Sequence, residues 1–250
     1  MNKAIKDKVV VVTGANRGIG AAIVATFFDQ GASKIYLAVR DVNSTKELES
    51  KFGDRVVTIE ADVSDTKSIQ ELAAKSPDAD IVINNAGVGN PQSTIGDTVE
   101  EDFKFQLEVN AFGLLRVANA FAKTLEKNKG ALVQLNSIAS MKNFSHLSTY
   151  SASKAASYNL TQGLRSELGP KGVTVISVHP GPVATDMGKN AGFEDGASTN
   201  AIAEAIAIGL EKGEFHVFPD EMAKQVGAAY EGFSENVVLA DFPNNLNVNE

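Results

Sequence analysis

Tyr150 and Lys154 stand four residues apart in the stretch STYSASKAAS, among small polar residues and alanines. A helix repeats about every 3.6 residues, so positions i and i+4 share one face and their side chains can act on one object. A phenol and an ammonium ordinarily titrate near about 10 and 10.4, and neither is a useful acid or base at neutral pH alone. An ammonium beside the phenol stabilises the phenolate and lowers the tyrosine pKa, so such a pair can move a proton. The same spacing is common on solvated helix faces, and other residues must decide between the two.

A second constellation handles anions. In TGANRGIGAAIVATF, Gly14, Gly18 and Gly20 lie between an apolar run and an amphipathic one, spaced G-x-x-x-G-x-G, with Asn16, Arg17 and Ile19 between them. Glycines let the backbone turn tightly and approach a pyrophosphate, and the helix that follows offers free N–H groups and a positive dipole end. Roughly 20 residues on, where a dinucleotide fold would place an acid for a ribose 2′-OH, the chain reads LAVRDVN. Val39 occupies the acid's place and Arg40 follows it. Two guanidinium groups, Arg17 and Arg40, near one ribose favour a 2′-phosphate, which points to NADP(H) rather than NAD(H). The alternative is that both arginines are solvated surface residues.

Composition narrows the rest. The 250 residues suit one sizeable α/β domain spanning 1–250. Lys and Arg number 23 against 31 Asp and Glu, a net charge of −8, which argues against an electrostatic grip on nucleic acid or anionic lipid. Small molecules and copies of the chain itself are the expected partners. The chain has no cysteine, so disulfides and thiolate chemistry are excluded, and His146, His179 and His216 show no metal-ligand spacing. No metal is expected. The N-terminus lacks the pattern of a signal peptide and no apolar stretch approaches about 18 residues, so a cytoplasmic protein off the membrane is expected.

To position these residues, β-branched runs must alternate with helices. Strands are predicted at Val9–Thr13, Ile35–Val39, Val56–Glu60, Ile81–Asn84, Ala131–Ser137, Val173–His179 and Phe215–Phe218, each apolar on both faces as buried parallel strands are. Helices are predicted at Ile19–Gln30, Thr66–Lys75, Val99–Glu126, Thr149–Leu168 and Ala201–Lys212, several closed by Gly31, Gly130 or Gly213. The alternation predicts a Rossmann-type, doubly wound parallel sheet flanked by helices. Residues 1–5 and the Asn-rich tail at 243–250 look poorly anchored. The glycine-rich segment at about 186–200 suits a mobile lid.

Ordered motifs extend the pattern: TGANRGIG at 13–20, DV at 62–63, NNAG at 84–87, VN at 109–110, NSIAS at 136–140, YSASK at 150–154 and HPGPVATDM at 179–187. In these the chain resembles the short-chain dehydrogenase/reductase family, in its single-domain branch of roughly 250 residues. The resemblance covers residues 7 to about 190. It implies that Tyr150 is the general acid/base of carbonyl reduction, and that Lys154 lowers its pKa while holding the nicotinamide ribose. Ser137 would hydrogen-bond the substrate oxygen, and Asn110 would support a proton-relay water. Asp62 and Val63 would sit beside the adenine, and Asn84, Ala86 and Gly87 where the backbone nears the cofactor. Pro180 and Gly181 would form a rigid turn, with Val183 and Thr185 touching carboxamide and pyrophosphate. A homodimer or homotetramer is implied, with Val99–Glu126 and Thr149–Leu168 packed against a two-fold mate. The family's usual ending is replaced by EFHVFPDEMAKQVGAAYEGF.

Elementary chemistry agrees with these roles. Hydride transfer to a ketone creates an alkoxide, which needs donors aimed at the oxygen and one proton. Ser137 at a predicted strand end and Tyr150 early in the next helix would converge where open α/β sheets bind ligands. Taken alone, Ser137 could equally cap the next turn, Asn110 be an ordinary polar helix residue and His146 a loop histidine. The expected activity is interconversion of a ketone or aldehyde with an alcohol using NADP(H). The alternatives are a non-catalytic dinucleotide-binding sensor or scaffold, and a sugar-nucleotide epimerase or dehydratase, which would need a larger C-terminal substrate region.

Overall fold

The computed structural model describes residues 2–193 and 195–240. Its strands are β1 (Val9–Thr13), β2 (Lys34–Val39), β3 (Val56–Glu60), β4 (Ile81–Asn84), β5 (Ala131–Leu135), β6 (Thr174–Val178) and β7 (His216–Val217). They form one sheet in the order β3-β2-β1-β4-β5-β6-β7, with every neighbouring pair parallel. The helices are α1 (Gly18–Asp29), α2 (Lys46–Phe52), α3 (Thr66–Lys75), α4 (Val99–Leu107), α5 (Gly113–Asn128), α6 (Ser148–Leu168), α7 (Asp186–Asn190), α8 (Thr199–Lys212) and α9 (Glu221–Phe233).

The inner β-branched runs are buried on both sides because successive side chains point to opposite faces, whereas the edge strand β3, contrary to expectation, exposes Val57 and Glu60. Val10 and Val12 join Ile23, Phe27 and Ile206 on the face covered by α1 and α8. Val11, between them, joins Leu72, Phe121 and Tyr158 on the face covered by α3, α5 and α6. Phe27 and Phe121 are fully buried, each contributing about 1.5–3 kcal/mol of transfer free energy. The chain winds from β1 outward to β3, then crosses to β4 on the other side of β1. This is a topological switch point, and the carboxyl ends of β1 and β4 flank the crevice it opens. Among the described residues, no helix is long and apolar enough to cross a membrane.

The predicted helix Val99–Glu126 is interrupted. Residues Glu108–Phe112 form a π turn between α4 and α5, which hydrophobic periodicity does not register. The predicted glycine closure at Gly130 falls one residue earlier, where Lys129 takes the left-handed conformation with φ 48°. Gly130 is needed for another reason, since a Cβ there would lie 2.1 Å from the Asp80 carbonyl oxygen. Residues 2–5 are anchored, contrary to expectation. Ile5 is fully buried, and Asn2 Nδ2 donates to the Ala207 carbonyl at 2.6 Å. The tail at 243–250 lies outside the described residues.

Candidate active site

The glycine turn is built on Thr13, the last residue of β1. Its hydroxyl accepts from the backbone N–H groups of Asn85 (3.0 Å) and Ala86 (2.9 Å) and donates to Asn84 Oδ1 (3.2 Å). Asn85 Nδ2 donates in return to the carbonyls of Thr13 (2.9 Å) and Gly14 (3.2 Å). The turn is thus tied to β4 across the switch point. Gly14 and Gly18 have φ of +64° and +54°, a region costly for any side chain. At Gly20 a Cβ would lie 2.1 Å from the Gly14 carbonyl oxygen, so the glycine lets α1 start directly on the turn. No side chain caps the N-terminus of α1, which leaves its first N–H groups available to an anion.

A cavity of about 510 Å³ opens above the carboxyl ends of the strands. Gly14, Asn16, Arg17, Gly18 and Ile19 line one end, with Arg40, Asp62 and Val63 beside them. Ala86 and Gly87 lie along its middle, and Ser137, Tyr150, Lys154, Pro180, Gly181, Val183 and Thr185 complete the predicted lining. Three predicted residues do not line it. Gly20 packs under the turn, and Asn110 acts from behind the wall. Asn84 is buried within the sheet, where its Nδ2 donates to Gln134 Oε1 at 2.7 Å. Of the adjacent pair Asn84 and Asn85, it is Asn85 that lines the cavity. Consecutive residues leaving a strand point to opposite sides, so one member of the pair faces the cavity and the other the sheet.

Arg40 is exposed, and Arg17 Nη1 pairs with Asp186 Oδ2 of α7 at 2.8 Å. Burial pushes the Asp62 carboxyl up, but bonds from the Ser64 hydroxyl and N–H, with Arg40 and Arg116 nearby, outweigh it and hold the pKa below the ordinary value. Asp41 caps the turn after β2 by accepting from Asn43 N at 2.9 Å.

Ser137 follows β5 in extended conformation. Its Oγ accepts from Ala139 N at 3.1 Å and donates to the Pro180 carbonyl at 3.3 Å. It therefore caps the next turn and also lines the cavity beside Tyr150. Burial pushes the Tyr150 phenol up, and a bond with the Ser137 hydroxyl pulls it partly back. Burial alone brings Lys154 down from 10.5 to about 8. The expected lowering of the tyrosine by the lysine is not found. Lys154 Nζ lies 5.9 Å from the Tyr150 ring centroid and donates to the Leu135 carbonyl at 2.7 Å, while burial penalises both charged forms.

Asn110 sits in the π turn, where the extra residue per turn aims its side chain at the loop after β4. Oδ1 accepts from Val88 N at 3.0 Å, and Nδ2 donates to the Val88 carbonyl at 2.8 Å and to Ser153 Oγ at 2.9 Å. Gly87 completes this corner, since a Cβ there would lie 3.1 Å from Asn110 Oδ1 and 3.5 Å from Lys154 Nζ.

Behind Ser137 lies His179, to which sequence alone assigns no role. It is fully buried, and burial depresses its pKa to about 3, so the ring is neutral. Nδ1 faces the Ser137 carbonyl (3.2 Å) and Ser140 Oγ (3.0 Å), and Nε2 faces Ser177 Oγ at 2.7 Å. A carbonyl only accepts, which assigns the proton to Nδ1. Asp220, which caps α9 through Ala223 N (2.9 Å), also accepts from Gly181 N at 2.7 Å, joining α9 to the Pro-Gly turn.

The family model of short chain dehydrogenase matches residues 8–195. The chain belongs to the short-chain dehydrogenase family. An uncharacterised oxidoreductase of Staphylococcus saprophyticus is 34% identical over 219 residues, covering 83% of this chain and 93% of the relative. An uncharacterised oxidoreductase of Staphylococcus aureus is 34% identical over 226 residues, covering 87% and 96%. Among solved structures, a short chain dehydrogenase from Burkholderia cenocepacia in complex with NADP superimposes with a TM-score of 0.85 at 32% identity, covering 95% of this chain and 99% of that one. The chain is thus a member of an oxidoreductase family with a Rossmann-type α/β fold.

Proposed function

We propose that the protein is an NADP(H)-dependent oxidoreductase that interconverts a ketone or aldehyde with an alcohol. The observation that carries this reading is one cavity with an uncapped helix N-terminus on a glycine turn at one end and the Ser137 and Tyr150 hydroxyls at the other. The residues fit a dinucleotide: Gly14 and Gly18 take the positive φ that the turn requires, and the helix behind them starts with no side-chain cap. The similar Burkholderia dehydrogenase is in complex with NADP, which supports the same cofactor here. Arg17, Arg40 and the N-terminus of α1 would hold its phosphates, Lys154 its nicotinamide ribose, and Val183 and Thr185 its carboxamide and pyrophosphate.

When bound, NADPH supplies a hydride to the carbonyl carbon. The chain's own residues handle the oxygen. Ser137 Oγ–H, turning from the Pro180 carbonyl, donates a hydrogen bond to it, and Tyr150 Oη–H delivers the proton that turns the alkoxide into an alcohol. The raised tyrosine pKa keeps that proton in place until charge develops on the substrate. Lys154 and Asn110 support its replacement from the side of Val88. Because Tyr150 leads with its proton, the same site run backward needs the phenolate, so alcohol oxidation should gain from alkaline pH.

Cofactor choice rests on Arg17, Arg40 and the absence of an acid at Val39. Arg17 must leave Asp186 to take a phosphate, an exchange open to an ion pair this exposed. Binding of NADPH and NADH, read by nicotinamide fluorescence, should favour NADPH in the parent, and Arg17→Ala or Arg40→Ala should erode the preference. A parent that prefers NADH would remove the basis of this assignment. Exposed Phe105 and Phe112, on α4 and the π turn, support assembly into a homodimer or homotetramer through this helix.

A further inference from the structure

Carbonyl reduction leaves open what is attached to the carbonyl, and the walls around Tyr150 bear on it. The backbone of Gly89 lies against the tyrosine ring: a Cβ there would be 3.0 Å from Tyr150 Cδ2 and 3.4 Å from Met187 Sδ. Met187, in α7, therefore closes over the same spot. Across the cavity, Gly181 lies with Met222 Cβ 3.4 Å from where its own Cβ would be, and Asp220 fixes that approach. Phe144 enters from the loop before α6. Phe193 follows α7, its ring centroid 6.2 Å from that of His146. Gly89, Phe144, Gly181, Met187, Phe193 and Met222 line the cavity. Met187 and Met222 are 40% and 48% exposed, so apolar surface at the mouth stays in contact with water until something covers it. Thioethers adapt to irregular apolar shapes and favour aromatic rings.

The charges tell the other half. The described lysine and arginines lining the cavity are Lys154, Arg17 and Arg40, and His146 adds an imidazole beside Phe193. Lys154 donates to Leu135, Arg17 pairs with Asp186, and Arg40 stands at the far end beside Asp62. Asp186 itself is the residue before Met187. Among the described residues, Lys154 is the lysine or arginine beside Tyr150, and the cofactor's ribose would occupy it; a carboxylate or phosphate on the substrate would then approach Asp186.

Building on the carbonyl-reductase reading, we propose that the substrate is an uncharged, predominantly apolar carbonyl compound carrying a ring beside the carbonyl, and that anionic carbonyl compounds are rejected. Its ring takes the space between Phe144, Met187, Phe193 and Met222, with the oxygen against Ser137 and Tyr150.

A matched pair tests this: methyl benzoylformate and benzoylformate, which share the ketone and ring and differ by one negative charge. With NADPH, kcat/KM should favour the ester by at least about tenfold, as expected when a charge enters a site without a counter-ion. Calorimetry of methyl mandelate and mandelate on the NADP-loaded protein should give the same order without requiring turnover. Met222→Arg, which adds the missing cation, should shift both ratios toward the acid. Equal or better handling of the acid by the parent, or binding of neither alcohol, would overturn the proposal. Binding of the ester without reduction of either ketone would leave the substrate class standing and overturn the carbonyl-reductase reading instead.

Discussion

Lys154 should lower the stability of the protein while serving its chemistry, and replacing it separates the two. Burial brings its ammonium from 10.5 to about 8, a penalty on the charged form of about 3 kcal/mol at pH 7. Against this stands its charge-assisted hydrogen bond to the Leu135 carbonyl at 2.7 Å, worth about 1.5–3 kcal/mol. Leu135 would not be stranded by the loss, since Gln134 Nε2 also donates to its carbonyl at 3.1 Å. Lys154→Met keeps the length and apolar stem, so the variant should be as stable as the parent or more so, by up to about 2 kcal/mol, or about 2–4 °C per kcal/mol in Tm. The pH dependence has a definite sign. Below the folded pKa of about 8 the lysine is charged in both states and the penalty is constant. Between there and 10.5 the folded protein has released the proton and the unfolded chain keeps it, so parent stability rises with pH relative to the variant. Urea unfolding at pH 7 and pH 10 without added cofactor measures this. Turnover should fall at least about 100-fold. Destabilisation by more than about 1 kcal/mol at pH 7, or a gap that does not change with pH, would refute the reasoning.

Two further substitutions probe the frame. Gly20→Ala forces a Cβ to within 2.1 Å of the Gly14 carbonyl oxygen; the turn must shift, and thermal unfolding and NADPH titration should show a loss of at least about 2 kcal/mol together with weakened binding. Unchanged binding and Tm would mean that α1 does not depend on this approach. Asp220→Ala removes acceptors from both Gly181 N and Ala223 N and should cost about 1–3 kcal/mol while raising KM through Met222, with kcat nearly unchanged; an effect on kcat alone would contradict that account.

The sheet was legible because its inner strands are buried on both faces, which writes Val-Val-Val-Val and Ile-Val-Ile directly into the chain. The glycine turn was legible because its backbone conformations are closed to other residues. What the sequence hid depends on tertiary partners. Nothing in Val99–Glu126 announces a π turn, whose support comes from Asn110 meeting the Val88 backbone 22 residues away. Asn84 and Asn85 are adjacent and identical, and only the side to which each points separates a sheet cross-tie from a cavity wall. His179 looks like part of a proline turn until the fold buries it beneath Ser137. Spacing alone suggests a lowered tyrosine pKa, whereas the direction in which Lys154 Nζ points is set by the Leu135 carbonyl. Residues 2–5 carry a single large apolar side chain, Ile5, too little pattern to show that they pack against α8 and the loop before β2.

In the proposed chemistry Tyr150 gives its proton to the oxygen of a carbonyl whose carbon takes a hydride from NADPH. The most direct measurement compares Tyr150→Phe with the parent in two readouts on the same preparation: NADPH binding by fluorescence titration, and NADPH oxidation with a reducible ketone. The substitution removes one hydroxyl and keeps the ring against Gly89. Binding should stay within about twofold of the parent while kcat falls at least about 100-fold. A Tyr150→Phe protein that kept most of the parent kcat would contradict the assignment of the proton donor, and with it the chemistry proposed for this site.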